Sequence, residues 1–474
     1  MDISLTPHLQ LRTCITGSLL LALSAVPAAH SAEIASPQSH SLSPRLPATA
    51  PTPRPTDPGA SRADLAVTEA NAATQTPALL NPLLAEALQN NPEIRAARKE
   101  QEAASQRIAP AGALDDPMLE AGVLNVPASS FSFTREDMTM KMLGLSQRFP
   151  YPGKRALKRE VAEKDAESVA HAYQETVNRV VRDLKIAYYD LALVIESTRV
   201  VQQNRLLLEQ LLKIAEGRYS VGQGSQVDVL RAQTSLSKMT EELIKLGRER
   251  PMFEAELNRV LGRPATVPAP VPTSLELREA ALAFAKLQEK ALSGRPQLLA
   301  LQTLNARSQR AVELARKERY PDFDVRLSYG QRENMVDGTR RSNMVSLTVA
   351  MNLPVWQQTK ITPRIAEAQA MYEQSLSMYE AQRNETTMKL RQQVAAAEQN
   401  LRAVALYNNE IVPQSRLTVE AALAAYQVNR LEFAPLLDNR MAILNFELAR
   451  VAAIANYNKA LAEIEFLTGV PQAV

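Results

Sequence analysis

The side chains that could do chemistry in this chain of 474 residues are few. It holds one cysteine and four histidines. Cys14 lies ahead of the apolar run 15–26, which reads with Arg12 and the small residues 28–32 as a secretory leader cleaved after Ala32. The mature chain then keeps His40 and His171. His171 stands between Ala170 and Ala172 in a helical stretch, the setting of a packed or exposed residue and not of a ligand. Without a thiol there is no disulfide, no cysteine nucleophile and no cysteine-bound metal. No phosphate-cradling glycine loop and no nucleophile motif appears. Met138, Met140 and Met142 alternate with Thr139 and Lys141. A relay of thioethers for a metal is one reading; one face of a strand against lipid or a core is the simpler one. No catalysis, cofactor or metal is expected.

Charge points the same way. Basic and acidic residues nearly balance, 54 against 51, and no basic stripe with interleaved aromatics suggests nucleic acid. One basic cluster is conspicuous: Lys154, Arg155, Lys158 and Arg159 open a helix, where the macrodipole disfavours cations. Lipid phosphates would explain it, or a solvated helix face.

The elements behind these residues are written twice. Tyr219 and Tyr426 stand 207 residues apart, as do Gly262 and Gly469. Pro92 and Pro296, Pro117 and Pro321, and Pro150 and Pro354 stand 204 apart, so the second copy carries three additional residues after Pro354. The expected organisation is a leader (1–32), a Pro/Ala/Thr-rich disordered tether (33–78), a first repeat (79–264, hairpin 118–149), a linker (265–275) and a second repeat (276–471, hairpin 322–353).

Each copy holds a long rod free of glycine, 154–216 and 360–425, with Pro363 in the opening turns of the second and Pro413 as an expected kink. Shorter helices are expected over 81–113 and 276–319 before the hairpins and over 225–261 and 432–467 after the rods. Ser225-x-x-Asp228 and Asn429-x-x-Glu432 resemble capping boxes for the return helices. Leu208, Leu211, Leu212 and Ala215, and Val394, Ala397, Leu401 and Val404, read as packing seams.

Between opening helix and rod the period changes to two. Val345, Leu347, Val349, Met351 and Leu353 alternate with small or polar residues over about ten positions, the length of a tilted membrane strand. Four strands cannot close a barrel, and open edges are not tolerated in lipid. Three chains would supply twelve; the soluble alternative is a pair of hairpins covering a helix bundle. Phe149, Tyr151, Tyr320, Phe323 and Trp356 gather at the proline-marked strand–helix boundaries. They would form an aromatic belt at one membrane face, or pack locally on the proline turns.

The order and spacing of these marks resemble the TolC family of outer-membrane efflux channels. The resemblance rests on Asn91-Pro92-Glu93-Ile94, on Tyr219-Ser220-Val221-Gly222 before Gln226–Gln233, and on 257–264, and it covers nearly all of 79–471. Residues 146–154 look like the branch that serves heavy-metal exporters of the resistance-nodulation-division type. The resemblance implies a mainly α fold with a β-barrel portion: a homotrimer with a twelve-stranded barrel in the outer membrane of a Gram-negative bacterium, continued by an α-helical barrel in the periplasm. It implies a passive exit duct that docks on a periplasmic adaptor and an inner-membrane efflux pump, in heavy-metal or drug resistance. The docking tips would carry Tyr219, Val221 and Gly222 in one copy and Tyr426, Val428 and Asn429 in the other. Of the two carboxylate positions that narrow such tunnels, one falls on Asp438 and the other on Pro435, so Asp438 is either the periplasmic aperture or an exposed helix charge. A periplasmic coiled-coil protein without a pore is the competing reading.

Overall fold

A computed structural model describes residues 79–469, apart from 273 and 279. The expected leader and tether, Cys14 and His40, and residues 470 and 471 lie outside the described residues. The first copy runs α1 (Leu80–Asn90), α2 (Pro92–Gln106), α3 (Ile108–Gly112), β1 (Met118–Leu124), β2 (Met140–Phe149), α4 (Lys154–Ser220) and α5 (Gln226–Leu261). The second runs α6 (Phe284–Gly294), α7 (Pro296–Lys317), β3 (Phe323–Gln331), β4 (Met344–Met351), α8 (Thr362–Leu406), α9 (Val412–Gln427) and α10 (Phe433–Thr468). The 67 residues of α4 span about 100 Å at 1.5 Å each.

The composition of 81–113 and 276–319 favours one helix in each copy, but both stretches are broken. Asn91 and Arg295 precede prolines and are extended, with ψ of 125° and 120°. A proline ring crowds the α conformation of the residue before it, and Pro92 and Pro296 then open new helices at a position that needs no N–H. No helix covers 276–278 or 280–283.

Two π turns, Gln357–Ile361 and Tyr407–Ile411, lie in the second rod. An i→i+5 turn fits one residue more into a continuing helix, so the second, which joins α8 to α9, absorbs one of the three additional residues, whereas the first opens α8 and follows no helix. The second π turn directly precedes Pro413. The Val412 N–H reaches the Tyr407 carbonyl, and the helix continues past a residue that interrupts α bonding.

The middle of α4 packs Leu184, Tyr188 and Leu191 against Leu80 and Leu84 of α1 and Leu257 and Leu261 of α5. Its later half packs Leu208, Leu211 and Ala215 against Met239 of α5 and Phe433 and Leu436 of α10. In the second copy Leu390, Val394 and Ala397 of α8 meet Tyr457, Leu461 and Ile464 of α10. The expected seams are therefore buried, except that Leu212 is only partly so and Leu401 lies off the stripe and is 36% exposed.

Each return helix ends against the opening helix of its own copy. Gly262 has φ of 74°, and a Cβ there would stand 2.7 Å from the Asn90 carbonyl oxygen. Gly469 has φ of 64°, and a Cβ there would stand 2.7 Å from the Gly294 carbonyl carbon and 2.9 Å from the Arg295 Cα. Asn91 fastens the first joint from both sides. Its Oδ1 accepts from the Glu93 and Ile94 N–H groups at 2.8 and 3.2 Å, and its Nδ2 donates to the Val260 carbonyl at 2.8 Å. The repeat landmarks Pro92 with Gly262, and Pro296 with Gly469, thus meet in space.

Candidate functional site

The two hairpins join into one antiparallel sheet of order β1-β2-β3-β4. Its register sorts side chains by chemistry. One face carries Leu119, Leu143, Leu145, Val325, Leu327, Leu347 and Val349 in adjoining rows, and Phe149 opposite Phe323 at its base. Leu119, Leu347 and Val349 are 71%, 70% and 57% exposed. A patch of this extent is not left to water in a soluble domain. The other face carries Glu120, Gly144, Ser146, Arg326, Ser328, Gly330 and Ser346. The Sδ of Met140 would stand 2.5 Å from a Cβ on Gly330, so this buried methionine fills the space that glycine leaves, as packing requires.

Asp322 ties the base of the sheet to the helices. It accepts from Lys154 Nζ at 2.7 Å, Arg148 Nη2 at 3.1 Å and the Tyr151 N–H at 3.0 Å. Burial pushes its carboxyl up, but the bonds from Lys154 and Tyr151 outweigh burial and hold it below the ordinary value. Lys154 also donates to the Tyr320 carbonyl at 2.8 Å, and Arg155 to the Gly112 carbonyl at 2.9 Å. The basic cluster at the start of α4 is thus half committed to internal contacts, which corrects the reading of all four cations as a single lipid- or solvent-facing group. Tyr151 and Tyr320 stack at 4.5 Å with Lys317 over both rings, and Trp356 is 71% exposed. All five sequence-marked aromatics therefore lie at the strand–helix junctions.

At the far ends of the rods both turns close alike. The N–H groups of Gly222 and Gln223 reach the carbonyls of Tyr219 and Arg218 at 3.0 and 2.9 Å; those of Asn429 and Arg430 reach Tyr426 and Ala425 at 3.2 and 2.9 Å. This paired closure needs a left-handed residue. Gly222 supplies it with φ of 72° and Asn429 with φ of 61°. Asn429 is therefore the counterpart of Gly222 and not a helix cap, which corrects the Asn429-x-x-Glu432 reading. Glu432 is the residue before α10 and makes no side-chain cap, whereas Ser225 Oγ accepts from the Val227 N–H at 3.1 Å.

Tyr219, Val221 and Val428 are exposed on the turns. Tyr426 is not: its ring is buried, 5.4 Å from that of Phe433, with the Arg218 guanidinium 4.4 Å above it. Arg218 also donates to the Tyr426 carbonyl, which joins the two turns. Nothing in the sequence marked Arg218, because its partners lie one copy away. A cleft of about 750 Å³ between the turns is lined by Arg218, Asp228, Arg231, Arg430 and Glu432. Asp438 follows on α10, exposed beside the buried Leu436 and Leu437, and Pro435 is exposed one turn earlier.

The family model for outer membrane efflux proteins matches residues 83–263 and 287–470, one stretch in each copy and together more than half of the chain. No curated protein matches in sequence. Among solved structures, the outer membrane protein VceC from Vibrio cholerae is similar with a TM-score of 0.70, at 17% identity over 83% of this chain and 96% of that one. The outer-membrane channel OprN gives 0.71 at 18% identity over 82% and 89%. The open state of the Neisseria gonorrhoeae MtrE outer membrane channel gives 0.67 at 16% identity over 82% and 88%. At such identities the likeness is one of fold.

Proposed function

The chain belongs to the outer membrane efflux protein family and is an outer-membrane efflux channel, and we propose that it is the passive exit duct of a tripartite assembly. Three copies pair the free edge of β4 in one with the free edge of β1 in the next and close a twelve-stranded barrel. Their rods continue it as a periplasmic tunnel. At the turns the tunnel meets an adaptor that delivers cargo from an inner-membrane pump. The observation that carries this reading is the two-faced sheet, apolar on one side, polar on the other and unpaired at both outer strands. A coiled-coil protein without a pore would have no use for that apolar face. Heat-modifiable trimers in outer-membrane fractions with single-channel conductance in planar bilayers are the expected result. A soluble monomer in periplasmic extracts would overturn the reading.

The sheet gives a direct test. Leu347→Lys places a charge on the apolar face and is expected to cost about 2–4 kcal/mol per chain in the membrane. Ser346→Lys, on the other face, is expected to leave assembly intact. Trimer yield in outer-membrane fractions separates the two faces, and equal yields would mean that the lipid face is misassigned.

In this duct Phe149, Tyr151, Tyr320, Phe323 and Trp356 form the belt at the periplasmic membrane surface, with the repeats, linker and tether divided as the sequence suggests. Tyr219, Val221, Gly222, Val428 and Asn429 present the tips to the adaptor, and Tyr426 holds them from beneath. Three copies of Asp438 narrow the entrance. Asp438→Asn is then expected to lower cation preference and block by polyvalent cations; unchanged selectivity would remove it from the aperture. The resemblance of 146–154 to the heavy-metal branch makes metal ions the first cargo to try.

A further inference from the structure

Glu120 and Arg326 come from strands that are not neighbours. β2 lies between β1 and β3, so their backbones are about 10 Å apart. Even so, Glu120 Oε1 and Arg326 Nη2 are 3.0 Å from each other. The residue beneath them explains the reach. Gly144 has no side chain to separate them, and a Cβ there would stand 3.9 Å from that of Glu120. Both groups lie on the polar face. The register places Glu120 in the row Glu120, Gly144, Ser328, Ser346 and Arg326 in the row Met118, Ser146, Arg326, Thr348. Within these two rows no other side chain on that face is ionisable. Towards the base the next charges are Arg148 and Asp324, opposite each other in the register, and Arg148 pairs with Asp322 at 3.1 Å.

We propose that Glu120 and Arg326 form a charge-balanced ring that keeps the conduit non-selective, inside the barrel and far from the tips. The inference rests on the exit-duct reading, which turns the polar face to the lumen. Three such pairs then ring the narrow interior at one level, among glycine, serine, threonine and methionine. Each pair cancels its own field, so the barrel passes anionic and cationic cargo alike, and charge discrimination is left to the tip. Both members are partly exposed, with side chains 38% and 45% accessible, so each meets passing solute.

The test is reversal potential in a salt gradient, on full-length channels in planar bilayers. Arg326→Gln leaves three unpaired carboxylates and is expected to raise the cation-to-anion permeability ratio on the order of twofold or more, because a confined charge with low-dielectric walls concentrates counter-ions. Glu120→Gln is expected to shift it the opposite way. The double variant is expected to return close to the parent, which a general distortion of the barrel would not do. If either single variant fails to assemble, the other and the double variant carry the comparison. Reversal potentials that stay at the parent value in both single variants overturn the charge-balanced ring, as does a double variant that stays shifted. Absence of channels from the parent protein itself would instead overturn the duct.

Discussion

Gly469→Ala is expected to lower the stability of the folded chain by roughly 2–5 kcal/mol, combining the cost of a left-handed conformation for a residue with a Cβ and the cost of overpacking against rigid backbone. The neighbours cannot move aside cheaply. The atoms a Cβ would strike are the Gly294 carbonyl and the Arg295 Cα, and Arg295 is itself held by Thr386 Oγ1 at 2.8 Å and Glu175 at 3.0 Å. Gly262→Ala meets the Asn90 carbonyl in the same way. The control is Gly222→Asn. That glycine is also left-handed but has open space around it, and Asn429 already holds the same turn in the other copy. It is expected to cost a few tenths of a kcal/mol, as an asparagine tolerates this conformation. Denaturation of the purified channel followed by circular dichroism distinguishes the cases. Equal losses at positions 222 and 469 would mean that the joint is not packed as described.

Glu465→Gln is expected to cost about 3–5 kcal/mol, because it leaves two cations without their anion in the protein interior. Lys185 of α4 donates to one oxygen of Glu465 at 2.5 Å and Arg278, shortly before α6, to the other at 2.7 Å. Lys185 is 1% exposed and Arg278 6%. Burial pushes the Glu465 carboxyl up, but Lys185 and Arg278 outweigh it and hold it below the ordinary value. Burial pushes Lys185 down, opposed by that single shared carboxylate. The pH dependence follows with a definite sign. A carboxyl lowered in the folded state adds stability that is fully present above its unfolded value, about 4.3, and is lost as pH falls through the folded one. The parent is therefore expected to lose stability on acidification below about pH 5, while Glu465→Gln starts lower and loses less over the same interval. Parallel curves for the two would show that Glu465 is not the titrating link.

Much of this architecture was legible because the physics repeats. A second copy at a fixed offset turned weak signals into paired ones, so the order of helix, hairpin, rod and return helix could be read, and β4 announced itself by strict alternation. β1 was harder. Its polar face carries Met118 and Leu124 beside Glu120, so apolar residues fall on both faces. The breaks at Asn91 and Arg295 were hidden because proline is welcome at the first position of a helix as well as harmful within one, and the flanking composition is helical on both sides. Asn429 misled for a related reason. Asparagine serves both as a helix cap and as a left-handed residue, and only the backbone angle tells them apart. Arg218, Arg278 and Glu465 left no local mark, since their pairings with Tyr426, with each other and with Lys185 span 208, 187 and 280 residues.

The glycine–proline joints set the symmetry of the molecule. Each copy closes on itself, Gly262 against Asn90 and Gly469 against Gly294, and the second joint is braced in addition by Glu175 of the first copy, which accepts from Arg295. In the trimer proposed above, three chains would therefore present six nearly equivalent modules around the waist. At the tips the equivalence is gone: Asp228 faces Pro435 across the duplication, and Arg231 faces Asp438. Such a trimer would carry pseudo-sixfold order in its middle and true threefold order at its tips. A hexameric partner and a trimeric one could each find a matching surface on it, at different heights.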